Sequence, residues 1–533
     1  MKILMVILRA NKQQFVYDPD DSEARYNPVV QLGMPYIAAV LKQNGFEVHG
    51  LDLNDHAGLI RDVMKNHLSE NKYDVIFLGS VSFFYHNMKD LIKYIREFSD
   101  AKIVVGGGIV SGAPQLMLKM LKPDYIIRFE GEVTAVELVR AIRDNTPLSN
   151  VNGICFEDYA GCPVLTPPRE LIKDLDALPY PDFDLFGFDK QIERYLPAYI
   201  AYDHTDKPRP YSIIASRGCP FQCTFCFHTI GKGYRQRSVD NIMEEIRYAI
   251  KKYRANVIFF NDELFSYDKP RTLEICRRIK EIKDETPWEI TVMANNRVDK
   301  IDDEILDAVC YDMGCNIVGF GLESYSAKVL QSMRKHITPE QIKFAMDGVA
   351  KRNCVVQGSF IFGDPNETLE TAQETIDYYV NNQDVIKNGA KLDFIMVFPG
   401  APIWYDAVQR GIITDEEDFI ENKAAQTYNR TTPLNITHLS DKDFETLKNR
   451  VFTAEYITHR SAIPESIVGG EITATCPYCN TSQQYRNIEY PSFVGCRKCN
   501  GRYYLAPWWY KLSQAIVGVI GFNAANRLRE MFT

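Results

Sequence analysis

Short apolar runs separated by amphipathic stretches make up the first 150 residues of this 533-residue chain. The runs are apolar almost throughout rather than alternating, which is typical of strands buried on both faces by helices. They cover residues 2–8, 46–53, 75–82, 102–108 and 125–132, and the helical stretches include residues 35–44, 87–98 and 133–143. The pattern predicts an α/β domain at residues 1–150 with a doubly wound, Rossmann-like parallel sheet. Ligands of such sheets lie beyond the carboxyl ends of the strands.

A second strand–helix series follows a proline-rich connector at residues 151–205. Six further apolar runs predict a partial (β/α)6 barrel over residues 206–400, with catalytic groups at the carboxyl ends of its strands. These runs are residues 211–216, 257–261, 289–294, 317–322, 355–362 and 392–398. The remainder predicts a helical C-terminal region at residues 401–470, a small cysteine module at 471–505 and a C-terminal segment at 506–533 with a helix over about 511–529.

Composition narrows the classes of protein. Hydrophobic residues make up 45% and charged residues 25% of the chain, as in a soluble globular protein. A net charge of −9 and a pI near 5.6 argue against a nucleic-acid-binding surface, because such surfaces are basic. Seven of the thirteen cysteines form two metal-type groups and the others are scattered, which favours a reducing cytoplasm. Because no signal-peptide pattern or long apolar run occurs, we expect a cytoplasmic protein without a transmembrane segment.

Three cysteines follow the first strand of the predicted barrel, with the spacing Cys-x3-Cys-x2-Cys: Cys219, Cys223 and Cys226. Three thiolates around a cubic iron–sulfur cluster leave one iron open to a further ligand, whereas structural sites close with four ligands. The pattern resembles the radical S-adenosylmethionine (SAM) enzymes. The resemblance implies a 4Fe–4S cluster held by these cysteines, with SAM on the open iron. It also implies one-electron cleavage of SAM to a 5′-deoxyadenosyl radical, fed by an external donor such as flavodoxin or ferredoxin.

The same resemblance implies SAM contacts at the later strand ends. Phe225 matches the aromatic position near the adenine, and Arg297 is placed to hold the SAM carboxylate. Asn261, Asp262 and Glu263 occupy the place of the family's amino-binding stretch, although the usual Gly-Gly-Glu is absent. The remaining implied contacts are Glu323, Ser324 and Gly363.

The N-terminal domain carries a second resemblance, to the cobalamin-binding (class B) radical SAM enzymes. The resemblance rests on residues 31–36 and on polar or glycine positions at strand ends, which it implies contact cobalamin. These positions are Ser80, Ser82, Gly106, Gly107, Gly108, Glu130 and Gly131. The Asp-x-His-x-x-Gly pattern that supplies an axial histidine is not reproduced around His56, so we expect cobalt without a protein histidine below it.

Two Cys-x2-Cys pairs near the C-terminus predict one tetrahedral four-thiolate site: Cys476, Cys479, Cys496 and Cys499. Zinc and a single rubredoxin-like iron both fit these ligands. Beyond them, Trp508, Trp509 and Tyr510 precede an apolar helix. A membrane interface or a lipid substrate is one interpretation of this helix, and packing on its own domain is the favoured one.

The class B resemblance implies methylation of an unactivated carbon. One SAM would supply the methyl group through cobalamin, and a second would supply the radical that removes a substrate hydrogen. Two alternatives stay open, a radical cyclisation, rearrangement or C–C coupling without methylation, and a non-catalytic iron–sulfur sensor or scaffold. A small molecule, a peptide and a lipid-like compound all remain possible substrates, and no nucleic-acid partner is expected.

Overall fold

The computed structural model describes residues 1–11, 18–23, 31–195, 205–428, 430, 432–488 and 490–532, without the side chains of 528–532. Its first sheet has seven strands in the order β2-β1-β3-β4-β5-β6-β7. The strands are β1 Lys2–Ile7, β2 Glu47–Asp52, β3 Val75–Gly79, β4 Lys102–Gly106, β5 Tyr125–Ile127, β6 Ile154–Glu157 and β7 Pro163–Leu165. The helices are α1 Gly33–Gln43, α2 Ile60–Glu70, α3 Tyr85–Phe98, α4 Gly108–Gly112, α5 Pro114–Leu121 and α6 Glu132–Asp144. The predicted doubly wound α/β class is confirmed.

Two features of this sheet depart from the sequence pattern. Strands β6 and β7 lie within the predicted connector and extend the sheet in antiparallel fashion, because the apolar residues Ile154 and Cys155 bury against β5. Strand β5 ends at Ile127 rather than at residue 132, since Phe129 takes a left-handed conformation with φ of 58°. That bend directs the following residues toward the second half of the molecule.

The second sheet is the predicted partial barrel, with six parallel strands in the order β15-β14-β13-β12-β11-β8. These are β8 Pro210–Ile213, β11 Val257–Phe260, β12 Thr291–Asn296, β13 Ile317–Glu323, β14 Val355–Phe362 and β15 Ala390–Phe394, while β9 Ser216–Arg217 and β10 Arg235–Gln236 form a separate hairpin. The helices are α7 Phe188–Gln191, α8 Val239–Tyr253, α9 Lys269–Glu285, α10 Asp303–Asp307, α11 Ala327–Ser332, α12 Pro339–Lys351, α13 Leu369–Asn381 and α14 Gln383–Ile386. Thr338 starts α12 with a capping box to Gln341, which fixes the helix start locally.

The region after the barrel divides between the two sheets. Helices α15 Pro402–Gln409, α16 Glu416–Asp418 and α17 Ala424–Thr427 follow, with a π-helical turn at Phe419–Lys423 between the last two. Trp404 of α15 and Phe419 of this turn join the core on one face of the first sheet. Helix α18 Asp441–Thr458 packs Phe444, Leu447 and Val451 into the barrel core instead. The two sheets are therefore joined by shared apolar packing as well as by the connector.

The C-terminal module contains two three-stranded sheets, β17-β18-β19 and β16-β21-β20. Its strands are β16 Ser461–Ala462, β17 Ser466–Val468, β18 Glu471–Thr475, β19 Ser482–Arg486, β20 Ser492–Gly495 and β21 Arg502–Leu505. The predicted single terminal helix is instead two, α19 Trp509–Ile520 and α20 Phe522–Phe532. Gly521 separates them because its φ of 82° ends the first helix.

None of the helices within the described ranges has the length and apolar character needed to cross a bilayer. The part of the predicted connector at residues 196–204 lies outside the described residues. The domain boundaries drawn at residues 150, 205, 400, 470 and 505 stay predictions.

Candidate cofactor cleft

The loop that carries Cys219, Cys223 and Cys226 leaves the barrel after β8 and is closed by the β9–β10 hairpin. Gly218 starts it with φ of 82°, and a Cβ there would lie 2.1 Å from the Gly233 carbonyl oxygen, so no larger residue fits. The backbone of Thr224 is held on both sides. Its N–H donates to the Met333 carbonyl, and its own carbonyl accepts from the Ile403 N–H, both at 3.0 Å. The loop is thus fixed by backbone contacts that do not depend on a bound group.

The three thiols differ in their surroundings. Cys223 is buried, while Cys226 is exposed, yet the protein around Cys226 desolvates its thiol enough to raise the pKa to about 12. Solvent contact together with strong desolvation by the surrounding protein is typical of a side chain in a recess of the surface. Desolvation also raises the pKa of Cys219 and Cys223. Since only thiolates ligate iron, binding of a cluster at this loop releases protons.

Two cations lie beside this loop. The Arg297 guanidinium stacks 3.6 Å from the centroid of the Phe221 ring and donates to the Lys335 carbonyl at 2.7 Å and to Asp299 at 2.8 Å. Lys335 is buried, with its Nζ 2.5 Å from Glu323 and 6.0 Å from the Phe225 ring centroid. A cluster with three thiolates is net negative, so these cations fit that donor set. Arg297 is predicted to bind SAM. In the structure its guanidinium contacts the cluster loop through Phe221.

The residues after β11 split into two groups. Asp262 is buried and accepts from the Ala215 N–H at 2.7 Å and the Ser216 hydroxyl at 2.5 Å, and burial raises its pKa to about 6. Asp262 therefore holds in place the backbone between β8 and the cluster loop. Glu263 is exposed and lies 4.0 Å from His228 on that loop, while the Asn261 N–H pairs with the Ile213 carbonyl. Of this predicted stretch, Asp262 is engaged within the protein, whereas Glu263 presents an exposed carboxylate beside the cluster loop.

Two more predicted contacts lie at the ends of β13 and β14. Glu323 has φ of 59° and is bound by Lys335, whereas Ser324 is buried against Thr375 at 3.1 Å. Gly363, with φ of 99°, borders open space, because a Cβ there would meet only Phe394 at 3.8 Å. Backbone at such a glycine is accessible to a flat ring.

The Gly363 turn is held by a buried carboxyl group. The Gly363 N–H donates to Glu367 at 2.6 Å, and burial raises the pKa of Glu367 to about 8. Below the pKa of this group in the unfolded chain, the carboxyl group is protonated in both states and its contribution to the free energy of unfolding is fully present. As pH rises the unfolded chain ionises first, so this contribution falls and is lost once pH passes through about 8. We therefore expect Glu367→Gln, which keeps the acceptor and removes the charge, to unfold at a higher temperature than the wild type at pH 9.

At pH 4, below the pKa of this group in the unfolded chain, the two proteins are expected to unfold within about 2 °C of each other, because the wild-type carboxyl group is then largely neutral in both the folded and the unfolded states. Thermal unfolding followed by circular dichroism across this range is the measurement. Glu370→Gln, on the exposed first turn of α13, is the control. A difference that did not widen with pH would refute a raised pKa at Glu367.

An ion-pair network, which we call the interdomain clamp, joins the first sheet to the cluster loop. Glu130 pairs with Arg217 at 3.0 Å and Arg235 at 2.8 Å, and Glu132 pairs with Arg217 at 2.7 Å. Arg217, Glu130 and Glu132 are each about 5% exposed. Although burial opposes the charged form, Glu132 and then Glu130 raise the pKa of Arg217 above its ordinary value. Glu130, predicted to contact cobalamin, has its carboxylate engaged by these arginines and by the Ile172 N–H.

The carboxyl edge of the first sheet faces the same loop. A Cβ on Gly108 would lie 3.1 Å from Thr229, and the rings of Phe129 and Phe227 stack with centroids 6.4 Å apart. Gly107 has φ of 96°, and a Cβ there would meet the Ser80 carbonyl at 2.3 Å. The carboxyl edges of both sheets therefore enclose one cleft.

Space and unpaired polar groups at this edge are compatible with a cobalamin ring or tail. A Cβ on Gly106 would meet nothing nearer than 3.9 Å, and one on Gly33 nothing within 4 Å. Asn11 Nδ2 and Asn87 Oδ1 are buried there and have no hydrogen-bond partner among the described residues. Gly131, in contrast, packs against Ile37, and His56 lies exposed in the loop after β2. Ser80 and Ser82 follow β3 at the same edge.

The four C-terminal cysteines meet as predicted from their spacing. Their Sγ atoms lie within 4.8 Å of one another, with 3.7 Å between Cys476 and Cys499 and 3.6 Å between Cys479 and Cys496. Ligand bonds of about 2.3 Å in a tetrahedron place the sulfurs about 3.8 Å apart, so a single thiolate-bound ion fits. Asn480 and Asn500, each with φ of 55°, form the matching turn after each pair.

The sequence did not reveal the role of Lys335 or the ion pairs that Glu132, Arg217 and Arg235 make. Arg217 stands next to Gly218 in the cysteine motif, and this adjacency was the available signal. Lys335 lies between two residues in left-handed conformation, Arg334 and His336, and no sequence pattern marks that turn.

Protein-family models match both the barrel and the N-terminal domain. Residues 213–379 match the radical SAM superfamily, and residues 23–139 match the B12 binding domain. The chain is 29% identical to an uncharacterized methyltransferase of Pyrococcus horikoshii over 72% of this chain and 79% of that protein. It is 24% identical to cytidylyl-2-hydroxyethylphosphonate methyltransferase of Streptomyces wedmorensis over the same shares. With the anaerobic magnesium-protoporphyrin IX monomethyl ester cyclase of Rubrivivax gelatinosus it shares 28% identity over 64% of this chain and 60% of that protein.

Solved structures share the fold. The radical SAM methyltransferase TsrM from Kitasatospora setae, with tryptophan and a SAM analogue bound, aligns with a TM-score of 0.60 at 18% identity, over 77% of this chain and 76% of that chain. The cobalamin-dependent radical SAM enzyme OxsB, with aqua-cobalamin and SAM bound, aligns with a TM-score of 0.57 at 20% identity, over 82% and 58%.

Proposed function

Because the chain belongs to the cobalamin-binding radical SAM enzymes, we propose that it is a methyltransferase acting on an unactivated carbon. One observation carries the proposal: the carboxyl edges of the two sheets face each other across a single cleft, joined by the interdomain clamp. Groups held at the two edges therefore lie within reach of one substrate. The methyltransferase names of the relatives in Pyrococcus horikoshii and Streptomyces wedmorensis support the same choice.

When bound, the iron–sulfur cluster supplies the electron that cleaves SAM, and cobalamin supplies a methyl group. The chain's residues prepare the cleft for both. Lys335 and Arg297 place positive charge beside Cys223, which favours the thiolate form of this side chain. Phe129 and Phe227 stack between the two edges and place apolar ring surface there. Gly363 leaves its backbone accessible to a flat ring such as the adenine of SAM.

The reaction without methylation is the second candidate, and the likeness to the cyclase of Rubrivivax gelatinosus favours it. The two candidates differ in the fate of SAM. Methylation uses one SAM as the methyl donor, which yields S-adenosylhomocysteine, and a second as the radical source, which yields 5′-deoxyadenosine. A cyclisation yields no S-adenosylhomocysteine.

The deciding experiment uses anaerobically purified, reconstituted protein with deuterated-methyl SAM, a chemical reductant and a small-molecule extract as the substrate source. We expect both SAM products and a small molecule that gains a deuterated methyl group. Formation of 5′-deoxyadenosine alone would instead support the cyclisation. If neither product formed, the non-catalytic sensor would be the remaining interpretation.

The four-cysteine module is proposed to hold a structural zinc or single iron. Its closed set of four thiolates leaves no position for a substrate. Metal analysis of the purified protein distinguishes zinc from iron.

A further inference from the structure

Helix α19 turns its apolar face away from the protein. Trp509, Leu512, Ile516 and Val519 are 51%, 58%, 44% and 85% exposed, and the preceding Trp508 is 71% exposed. Their spacing of three to four residues places them on one stripe of the helix. The sequence favoured packing of this helix on its own domain, and the packing that forms leaves about half or more of each of these side chains exposed.

The opposite side of α19 makes the contacts with the protein, through both polar and apolar side chains. Ser513 bonds the Tyr456 hydroxyl at 2.7 Å, and Gln514 donates to the carbonyls of Tyr456 at 2.7 Å and His459 at 2.9 Å. Tyr510 and Val517 are buried on the same side. These bonds fix the rotation of the helix, so the outward direction of the apolar stripe is built into the fold.

The charge around the stripe indicates what covers it. Residues 490–529 contain no Asp or Glu in a chain whose net charge is −9. The same stretch holds six basic residues: Arg497, Lys498, Arg502, Lys511, Arg527 and Arg529. Arg497 pairs with Asp206 and Arg502 is buried, while Lys511 and Arg527 are exposed beside or just beyond the stripe. A second copy would bring two basic segments together, which is unfavourable.

We propose that α19 docks the protein on the surface of an anionic lipid bilayer. Twelve helical residues span about 18 Å, which is too short to cross a bilayer but suits a helix lying in the interface. Tryptophan at the start of the helix suits the headgroup level, where its ring is partly wet and partly apolar. The exposed Lys511 and Arg527 then meet anionic headgroups.

The test is cosedimentation of the full-length protein with vesicles of equal parts phosphatidylglycerol and phosphatidylcholine, and with phosphatidylcholine alone. Wild type is expected to bind the anionic vesicles more tightly, with a blue shift of its tryptophan fluorescence. Trp509→Ser/Leu512→Ser/Ile516→Ser is expected to weaken binding at least about tenfold, and Lys511→Glu/Arg527→Glu to remove the preference for anionic lipid. Tyr311→Ser/Tyr405→Ser, 61% and 58% exposed elsewhere, is the matched control and is expected to bind as wild type does.

Three results would overturn the proposal. Wild type could remain in the supernatant with anionic vesicles, or the triple variant could bind them as tightly as wild type does. Analytical ultracentrifugation without lipid gives the third: a dimer that the triple variant breaks would assign the stripe to self-association. Circular dichroism of the variants checks that each is folded.

Discussion

Cys223→Ala is expected to lower SAM cleavage by about 1,000-fold or more, equivalent to about 4 kcal/mol of barrier at 1.36 kcal/mol per tenfold. The loop has only three cysteines, and removal of one leaves two thiolates for a cluster that needs three. The measurement is 5′-deoxyadenosine formed per protein under reducing, anaerobic conditions, together with the iron content.

The matched control is Cys162→Ala, which removes an exposed cysteine that belongs to neither group. It is expected to retain wild-type cleavage and iron. Circular dichroism should report a folded Cys223→Ala protein, because the loop is held by the backbone bonds of Thr224 to Met333 and Ile403. Retention of both cleavage and cluster iron by Cys223→Ala would show that the cluster is not held at this loop.

The second large effect is expected from the interdomain clamp. Glu130→Ala leaves Arg217 and Arg235 buried with one fewer carboxylate, and breaking a buried pair in this way costs about 3–5 kcal/mol. Thermal unfolding is expected about 4 °C lower, because at about 2.1 cal/mol/K per residue the 533-residue chain has an unfolding entropy of about 1.1 kcal/mol/K. Glu97→Ala, which removes the exposed partner of Arg61, is the control and is expected to cost at most about 1 kcal/mol.

A second readout separates positioning from stability alone. Because Arg217 directly precedes Gly218 and Cys219, loss of Glu130 is expected to change the electron paramagnetic resonance spectrum of the reduced cluster with SAM, at a temperature where the variant is fully folded. Adding Arg235→Met to Glu130→Ala should recover part of the stability, since one unpaired cation is then removed. If Glu130→Ala matched Glu97→Ala in both unfolding and spectrum, the clamp would have no such role.

The sequence predicted those parts of the molecule that depend on local patterns. Buried parallel strands are continuous apolar runs, so both sheets were predicted to within a few residues at most strand ends. The cysteine groups were visible because metal ligands follow fixed spacings. The individual contacts to SAM and cobalamin stay predictions.

Long-range pairing accounts for what the sequence did not reveal. Glu130 meets Arg217 and Arg235, which lie 87 and 105 positions away, and nothing local marks these pairs. The bend at Phe129 that turns Glu130 inward occurs in a residue that rarely takes positive φ. The outward rotation of α19 depends on bonds from Ser513 and Gln514 to α18, and helix periodicity alone gives the stripe but not its direction.

The cysteine module docks at the amino ends of the barrel strands. Asn353 and Asn500, which precede β14 and follow Cys499, are joined by a hydrogen bond of 2.8 Å, and Lys387 before β15 donates to the Cys499 carbonyl at 3.1 Å. The cysteine loop lies at the opposite ends, so the eight residues of β14 separate the two sites by about 26 Å at 3.3 Å per residue. The rate of electron tunnelling falls exponentially with distance. A redox partner bound at the cysteine module would therefore be at the end of the barrel opposite Cys219, Cys223 and Cys226. We therefore expect a reductase to approach the protein from the side of Cys219 and the β9–β10 hairpin.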